Sequence, residues 1–529
     1  MKRASLVLLL ALLLAAVPGR GWASAQLLYT DVVSGPNQGG EDDHGAYLTL
    51  YGRNFGAARG TSRVSINGTE VAAYKFWSET KVAVQPGRRV SSGSVKIEVN
   101  GEVAVADATF TVRSGRIVFV ALDGNDATGQ AGDIRRPFRS AQKALNDPAF
   151  GPGDFLVLRG GTWTELGDYE SRFLNIAKDG VRGAPLTVTA YPGDHVIVSP
   201  ANGQTAFRLY RYMGQVSNVV ISNFDIRING DGVCIHMGYG SSDLRIVGNE
   251  AQGQKGQGGG AGCVTGSVSR TKILGNVIHD NTGDKLFHAL YIDNDFNPGT
   301  CDDVEIAYNH IFNQRAPEGS GRGIQIYWEG PYRIAFTNFH IHHNVIHDID
   351  RDGITLGNQS GAGFDVHDNV IYRTGLFWGA GIRFSGRDLE AKVYNNTIYD
   401  VARSRDVGAV WFERVKRATF ANNIVQTRAP AVYVTTDRGI DSDSIVMTHN
   451  LWFGVGAPPG LDRKPLTRDA AFRDPAKADF RLTPGSPAVA AGAIMPGVFG
   501  HFDMAGVPRP SSGPPDLGAF RLAESDAMR

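Results

Sequence analysis

The stretch VVISNFDI (residues 219–226) decides the fold, because variants of it return along the chain. Each copy has an apolar pair, an asparagine and a second apolar pair, as in LRIVGNEA (244–251), TKILGNVI (271–278) and FDVHDNVI (364–371). The asparagines follow one another at intervals of 25 to 35 residues, at Asn223, Asn249, Asn276, Asn309, Asn344, Asn369, Asn396, Asn423 and Asn450.

This repeat predicts a β-solenoid. A unit built of strands alone, and this short, cannot bury its apolar face by itself, so successive units must stack as coils. The asparagine would sit in a sharp bend between two strands. Because an amide side chain both donates and accepts hydrogen bonds, a stacked row of asparagines satisfies itself.

Composition and charge restrict the function classes. The chain has 529 residues with 53 basic and 53 acidic side chains, so it lacks the basic excess of a nucleic-acid binder. Its length predicts at least two domains. Residues 1–25 contain a basic start, an uncharged apolar run and the small residues Ala23, Ser24 and Ala25, which is the pattern of a secretory signal peptide. We therefore expect a secreted protein without a membrane span.

Residues 26–114 alternate apolar and polar positions in short runs separated by Gly and Asn, which predicts a small antiparallel sandwich. The segments GAYLTLYGRNFG (45–56), VSING (64–68), WSETKVAVQPG (77–87) and ATFTV (108–112) resemble the IPT/TIG family of immunoglobulin-like domains. The resemblance implies a spacer or attachment module without catalytic chemistry.

The repeats themselves resemble right-handed parallel β-helix proteins, the pectin-lyase-like superfamily with PbH1 repeats. The resemblance covers residues 116–455, and the rest of the 115–529 domain resembles the segment that closes such helices. The predicted fold class is all-β: a right-handed parallel β-helix preceded by a small immunoglobulin-like β-sandwich. The resemblance to chondroitinase B and alginate lyases is confined to PGDFLVLRGGTW (152–163) and APLTVTAYPG (184–193), so no family catalytic residue is carried over.

A second strand follows each asparagine by about a dozen residues, and its middle residue should face outward. Stacking then predicts three outward columns on one face. The first column holds Cys234, Cys263, Tyr291, Gln325, Thr355, Arg383 and Val410, the second His236, Thr265, Asp293 and Tyr327, and the third Asp231, His288, Arg322 and Asp352. The coils with the largest spacing insert loops around 294–303, 315–321 and 328–336 on this face, as expected beside a groove.

This face offers the groups that a lyase for acidic polysaccharide needs. Such an enzyme takes a proton with a His, Tyr or Lys base and neutralises the uronate carboxylate with cations. We predict His288 and Tyr291 as base and acid, with Arg322 and Lys285 neutralising the carboxylate. The predicted substrate-binding residues are Asp293, Gln325, Tyr327, Trp328, Asp352 and Arg383.

Alternatives remain open at this stage. A polar outward column also suits a non-catalytic surface or adhesin-type carbohydrate-binding protein, and Asp293 with Asp352 could serve a glycoside hydrolase. No cofactor is certain. Calcium is the one considered, either in the loop that begins at Asp348 and lacks the final Glu, or around Asp293, Asp295, Asp302 and Asp303. The expected partner is an acidic polysaccharide, the expected state a monomer, and Cys234 and Cys263 could form a disulfide.

Overall fold

The computed structural model describes residues 24–167, 172–211, 215–255, 262–283, 287–293, 301–316, 321–327, 335–357, 361–386, 388–404, 407–428, 432–437, 440–495, 502–510 and 512–522. The expected signal peptide, apart from its last two residues, lies outside them. The chain divides into two compact units, Met1–Ile117 with Phe472–Arg481 and Val118–Ala471 with Leu482–Arg529. No helix among the described residues is long and apolar enough to cross a membrane.

The N-terminal unit is a β-sandwich, as the alternating sequence predicts. Its sheets have the strand orders β1-β3-β7-β6 and β2-β9-β8-β4-β5, and the neighbours β1 and β3, β3 and β7, and β4 and β8 are antiparallel. Apolar residues at alternate positions, such as Leu48, Leu50, Val64 and Ile66, are fully buried between the sheets. The strands are β1 (Gln26–Thr30), β2 (Ser34–Gly35), β3 (Leu48–Arg53), β4 (Arg63–Ile66), β5 (Thr69–Glu70), β6 (Ala73–Trp77), β7 (Lys81–Gln85), β8 (Gly93–Val99) and β9 (Glu102–Val112).

The second unit is a right-handed parallel β-helix. It begins with β10 (Ile117–Val120) and a short helix, α1 (Ala141–Asn146), whose N-cap Ser140 accepts a hydrogen bond from the Lys143 amide. The strands of the first coils are β11 (Phe155–Leu158), β12 (Gly161–Trp163), β13 (Leu174–Ile176), β14 (Leu186–Ala190), β15 (Val196–Val198), β16 (Phe207–Leu209), β17 (Ser217–Ser222), β18 (Asp225–Arg227), β19 (Ile235–Val247), β20 (Glu250–Gln252), β21 (Gly262–Ser269), β22 (Thr271–Leu274), β23 (Val277–Thr282), β24 (His288–Ile292), β25 (Cys301–Ala307) and β26 (His310–Arg315).

The later coils continue the same order of strands. They contain β27 (Ile324–Ile326), β28 (Phe336–His342), β29 (Val345–Ile349), β30 (Ile354–Gly357), β31 (Gly361–His367), β32 (Val370–Thr374), β33 (Ile382–Ser385), β34 (Leu389–Tyr394), β35 (Thr397–Tyr399), β36 (Val410–Arg414), β37 (Arg417–Ala421), β38 (Ile424–Gln426), β39 (Val434–Thr436), β40 (Ile445–Thr448) and β41 (Leu451–Phe453). A ribbon of β42 (Phe472–Asp474) and β43 (Asp479–Leu482) follows. Short 3-10 turns lie at Glu41–Asp43, Ala201–Gly203, Ser442–Ser444 and Pro475–Lys477.

The strands of the helix form three parallel faces. Face 1 contains β11, β14, β17, the end of β19, β22, β25, β28, β31, β34, β37 and β40. Face 2 contains β12, β15, β18, β20, β23, β26, β29, β32, β35, β38 and β41. Face 3 contains β13, β16, the start of β19, β21, β24, β27, β30, β33, β36 and β39. Inward Ile, Val, Leu and Phe side chains of the three faces form one continuous core.

The predicted asparagine row lies in the bend between faces 1 and 2. Each side-chain amide from Asn249 to Asn423 donates to the carbonyl oxygen of the next asparagine at 2.9 to 3.0 Å. The residue before each asparagine has a positive φ, for example 52° at Asp368, and this produces the bend. The last member, Asn450, donates to the carboxylate of Asp462 at 2.9 Å, so the row ends on a group that only accepts.

The prediction for Asn223 was wrong by one position. Asn223 itself has the positive φ, 70°, and Phe224 takes the place of the ladder residue. The Phe224 amide donates to the side chain of Asn249, so the row begins at Asn249. The disulfide between Cys234 and Cys263, which the sequence left open, is present, and it joins adjacent coils inside the core, where Cys301 is a buried free thiol.

Candidate functional site

The register of face 3 differs by one residue from the predicted columns in some coils. His236 pairs with Thr265, Thr265 with Tyr291, and the column continues through Gln325, Thr355, Arg383 and Trp411. Cys234, Cys263 and Val410 are therefore not members, and they belong to the core. Asp231 is exposed, and it lies more than one residue before the position that aligns with Gly262 and His288. Its assignment to the third column was therefore also wrong.

The other two predicted columns hold in part. His288, Arg322 and Asp352 lie in line, since the Ala289 amide bonds to the Arg322 carbonyl and the Gly323 amide to the Asp352 carbonyl. Asp293 and Tyr327 also lie side by side, with the Tyr327 amide bonded to the Ile292 carbonyl.

The expectation that this face is exposed was wrong for most of it. His288, Tyr291, Asp293, Gln325 and Asp352 are all buried. Side chains on neighbouring coils stand only about 4.8 Å apart, so large polar groups cover one another. Contacts within one strand add to this, since the His288 and Tyr291 rings of β24 meet edge to face with their centroids 5.1 Å apart. In the described part of the chain the face is a packed polar layer, in which Arg322 and Arg383 are only 11% and 13% exposed.

Asp352 organises the centre of this layer. One carboxylate oxygen accepts hydrogen bonds from Arg322 Nε and Thr355 Oγ1, both at 3.1 Å, and lies 3.8 Å from Arg383 Nη1. The other oxygen accepts from the Ala380 amide at 2.8 Å. Since both oxygens are engaged, Asp352 can position arginines but is poorly placed to act as the acid or nucleophile of a hydrolase.

Three arginines surround this carboxylate, and sequence reasoning missed one of them. Arg351 lies close enough to Arg322 and Arg383 for their charges to act on it: burial and then Arg322 lower its pKa to about 10. Its buried Nε has no hydrogen-bond partner among the described residues. Arg383 also pairs with Glu413 through Nε at 3.0 Å, so that among the described residues Arg351 is the one arginine of the three without an ion pair.

Glu413 was not predicted either. Burial raises its pKa, but the hydrogen bond from Ser385 and the charge of Arg383 outweigh burial, and the pKa is lowered overall. Glu413 is therefore ionised at neutral pH and holds Arg383 in place.

His288 is a neutral imidazole within this cationic cluster. The side chain is 1% exposed, and neither ring nitrogen has a hydrogen-bond partner among the described residues. Burial, followed by the charges of Arg322 and Arg351, holds its pKa well below the usual value. A buried imidazole without partners is costly in a folded protein, and a ligand that bonds to it would remove that cost.

Other predicted residues line the edge of the cluster or fall outside the described chain. Tyr327 is partly exposed, and its ring packs against Gly357. A Cβ at position 357 would lie 2.3 Å from that ring, so only glycine fits there. Asp293 accepts a hydrogen bond from Ser267 at 2.8 Å. Buried Gln325 leaves its side-chain carbonyl without a partner in the described structure. Lys285 and Trp328 lie outside the described residues.

The aromatic margin of the cluster was also missed. Trp378 contacts Trp411 with a centroid separation of 5.0 Å, and Arg351 Cζ lies 4.2 Å from the centroid of the Trp378 ring. Arg383 Cζ lies 4.1 Å from the Trp411 ring. The sequence signal was the run of aromatic residues between Gly375 and Gly379, which marks a turn at the end of a strand of face 2.

The described residues contain no group of three or more His, Cys, Asp or Glu side chains arranged to hold a metal ion. In the predicted calcium loop the carboxylates are engaged elsewhere: Asp348 with Arg373, Asp350 with Arg315, and Asp352 with Arg322. The end of that loop, and Asp295 of the other suggested calcium site, lie outside the described chain.

A separate cleft of about 780 Å³ lies beside the first coils, and none of the predicted site residues lines it. Two of its side chains, Arg159 and Asp194, pair at 2.8 Å, and His195 bonds to Asp225 at 2.7 Å. The Arg159 and Asp194 charges compensate each other, whereas in the cluster on face 3 Arg351 has no paired carboxylate among the described residues.

Comparison with known proteins agrees with this architecture. The right-handed beta helix region family matches residues 201–398, and the IPT/TIG domain family matches residues 31–112. Among curated proteins, none matches the chain. The solved structure of pectate lyase Pel9A is similar at 15% identity, with a TM-score of 0.50, and covers 78% of this chain and 97% of its own.

Two further solved structures are similar at lower TM-scores. The alginate lyase from Paenibacillus sp. str. FPU-7 has 18% identity and a TM-score of 0.35 over 62% of this chain and 92% of its own. The mannuronan C-5 epimerase AlgE4 A-module of Azotobacter vinelandii has 13% identity and a TM-score of 0.40 over 62% of this chain and 94% of its own. The similarity to Pel9A, at 15% identity, shows the fold alone.

Proposed function

We propose that the protein is a secreted lyase that cleaves an acidic, uronate-containing polysaccharide by β-elimination on face 3. The observation that carries the proposal is the buried, neutral His288, with two nitrogens free of partners in the described structure, next to Arg322 and Arg351. A neutral imidazole can accept a proton, and an uncompensated positive charge beside it can hold a carboxylate.

In the proposed reaction the uronate carboxylate binds to Arg322 and Arg351, which withdraw charge from the sugar. His288 takes the proton from C5, the C5–H electrons form the C4–C5 double bond, and the bond from C4 to the glycosidic oxygen breaks. That oxygen takes a proton from the Tyr291 hydroxyl. Asp352 fixes Arg322 and does not contact the substrate.

Substrate binding also makes His288 a stronger base. Burial and the two arginines lower its pKa in the free protein, so it is a weak proton acceptor there. A bound carboxylate offsets the arginine charges, which raises the pKa towards the working pH. His288 is 1% exposed, so the polymer reaches it only after the groups above it move. We expect this movement to change the fluorescence of Trp378, which contacts Arg351, and of Trp411, which contacts Arg383 of the same cluster.

The test is ultraviolet absorbance of the unsaturated product during incubation with alginate, pectate, chondroitin sulfate and hyaluronate, with and without calcium. We expect product with at least one polymer, and its loss in His288→Ala and Tyr291→Phe. His340→Ala is the matched control, since this imidazole is half-exposed on face 1 and should leave the rate unchanged.

Two results would contradict the proposal. New reducing ends without the unsaturated chromophore would indicate a hydrolase. Binding of a polymer with no product of either kind would indicate a non-catalytic carbohydrate-binding protein. Circular dichroism of each variant separates loss of activity from loss of fold.

A further inference from the structure

The turn that follows β32 presents an aromatic side chain to solvent at the margin of the arginine cluster. Phe377 is 61% exposed, although a phenylalanine of a folded chain is usually buried. Its neighbour Trp378 is partly buried and contacts the guanidinium of Arg351. One exposed phenylalanine would need no explanation by itself, so its position beside the cluster carries the argument.

The backbone of this turn is fixed on the preceding coil. The Gly375 amide donates to the Arg351 carbonyl at 2.7 Å, and the Phe377 and Trp378 amides donate to the Asp350 carbonyl at 3.0 and 3.2 Å. The turn therefore holds its aromatic residues in place before any ligand arrives, and a preformed surface loses little entropy on binding.

The end of the turn contacts the centre of the cluster. The Ala380 amide donates to Asp352, and a Cβ on Gly379 would stand 2.8 Å from the same carboxylate. Phe377 is thus three residues from a backbone group that bonds to the carboxylate organising the arginines.

We propose that Phe377 is a sugar-binding subsite that stacks on the pyranose ring next to the uronate held by the arginines, with Trp378 anchoring the turn against Arg351. The identity of the polymer rests on the proposed function. Pyranose rings present a face of C–H groups, which packs on an aromatic ring by dispersion and burial of apolar area. The subsite therefore takes polymers and oligosaccharides rather than single sugars.

Binding without turnover is the test. Affinity electrophoresis and calorimetry of the full chain carrying His288→Ala are run with the four acidic polymers and with uronate oligosaccharides of increasing length. We expect added Phe377→Ala to weaken binding of polymers and longer oligosaccharides roughly tenfold, a loss of about 1.4 kcal/mol. Single uronates should bind unchanged, and Phe377→Trp should bind like the parent.

The matched control is Phe502→Ala, because this phenylalanine is 43% exposed but lies in the C-terminal segment, and it should bind like the parent. Equal polymer binding by Phe377→Ala and its parent would overturn the subsite. Weaker binding by Phe377→Ala together with no unsaturated product from the native chain would overturn the lyase and keep the subsite. If none of the polymers binds, both the subsite and the lyase proposal are overturned.

Discussion

Replacement of Asn369 by alanine tests whether the asparagine row holds the coils together. Its side-chain amide donates to the Ile341 and His367 carbonyls at 2.9 and 3.0 Å and to Asn396 at 2.9 Å. Its carbonyl oxygen accepts from the backbone and side-chain amides of Asn344, both at 3.0 Å. Alanine removes all of these bonds at a fully buried position.

The side-chain amide has two N–H groups for its three acceptors, so these contacts amount to about four hydrogen bonds. Each contributes about 1 kcal/mol net, so we expect the free energy of unfolding to fall by about 4 kcal/mol. The backbone amide of Asn344 also loses its acceptor inside the protein, which keeps the loss at the upper end of this scale. The measurement is urea unfolding of the full chain, followed by circular dichroism and tryptophan fluorescence.

Asn229→Ala is the control, since this exposed asparagine accepts one bond from Lys255, and its removal should cost less than about 0.5 kcal/mol. A loss below about 1.5 kcal/mol for Asn369→Ala would refute the reasoning, because the bonds would then exchange with water at little cost.

Two further predictions follow from close contacts. Gly379→Ala places a methyl group 2.8 Å from both the backbone nitrogen and the carboxylate of Asp352, at a φ of 130° that alanine rarely adopts, so we expect it to lower the unfolding midpoint, displace the arginines and weaken polymer binding in electrophoresis; unchanged stability and binding would contradict this. Burial, with the charges of His347 and His279, lowers the pKa of His310 to about 3 from 6.5, so unfolding releases a neutral imidazole that takes up a proton below pH 6.5. Stability should fall with pH from 6.5 downward, and His310→Phe should lose about 3 kcal/mol less by pH 4 in urea titrations, whereas parallel curves would refute it.

The repeat predicted the fold because one interaction, the buried amide row, recurs wherever the chain turns. Strand and bend positions were therefore readable from Asn249 to Asn450. The columns of face 3 were less readable, because glycines served as the alignment marks. Gly323 and Gly353 share a level, but Gly262 pairs with His288 and so lies one level earlier. A shift of one residue exchanges inward and outward side chains.

Burial of the site could not be predicted from the sequence. The exposure of His288 depends on side chains from other coils. Arg351 and Trp378 lie outside the strands, so the repeat pattern of the sequence does not place them. The cationic character of the face was predictable from Arg322 and Arg383, because both residues occupy repeat positions. Of the carboxylates that fix them, Asp352 was predicted as a substrate-binding residue or a hydrolase carboxylate, and Glu413 was not predicted.

The end of the asparagine row at Asp462 has a consequence for the addition of further coils to the β-helix. Each asparagine of the row donates a hydrogen bond to the coil that follows, so the row has a direction. It ends at a carboxylate, which accepts hydrogen bonds but does not donate them. Asp462 also accepts from the indole of Trp452 at 2.8 Å, so the oxygen that receives Asn450 is already shared. Another coil, whether from a duplicated segment or from a second molecule, would receive no hydrogen bond from Asp462, because a carboxylate has no N–H to donate. Asp462 thus ends the row of side-chain hydrogen bonds, and Asp462→Asn would restore an N–H donor at that end.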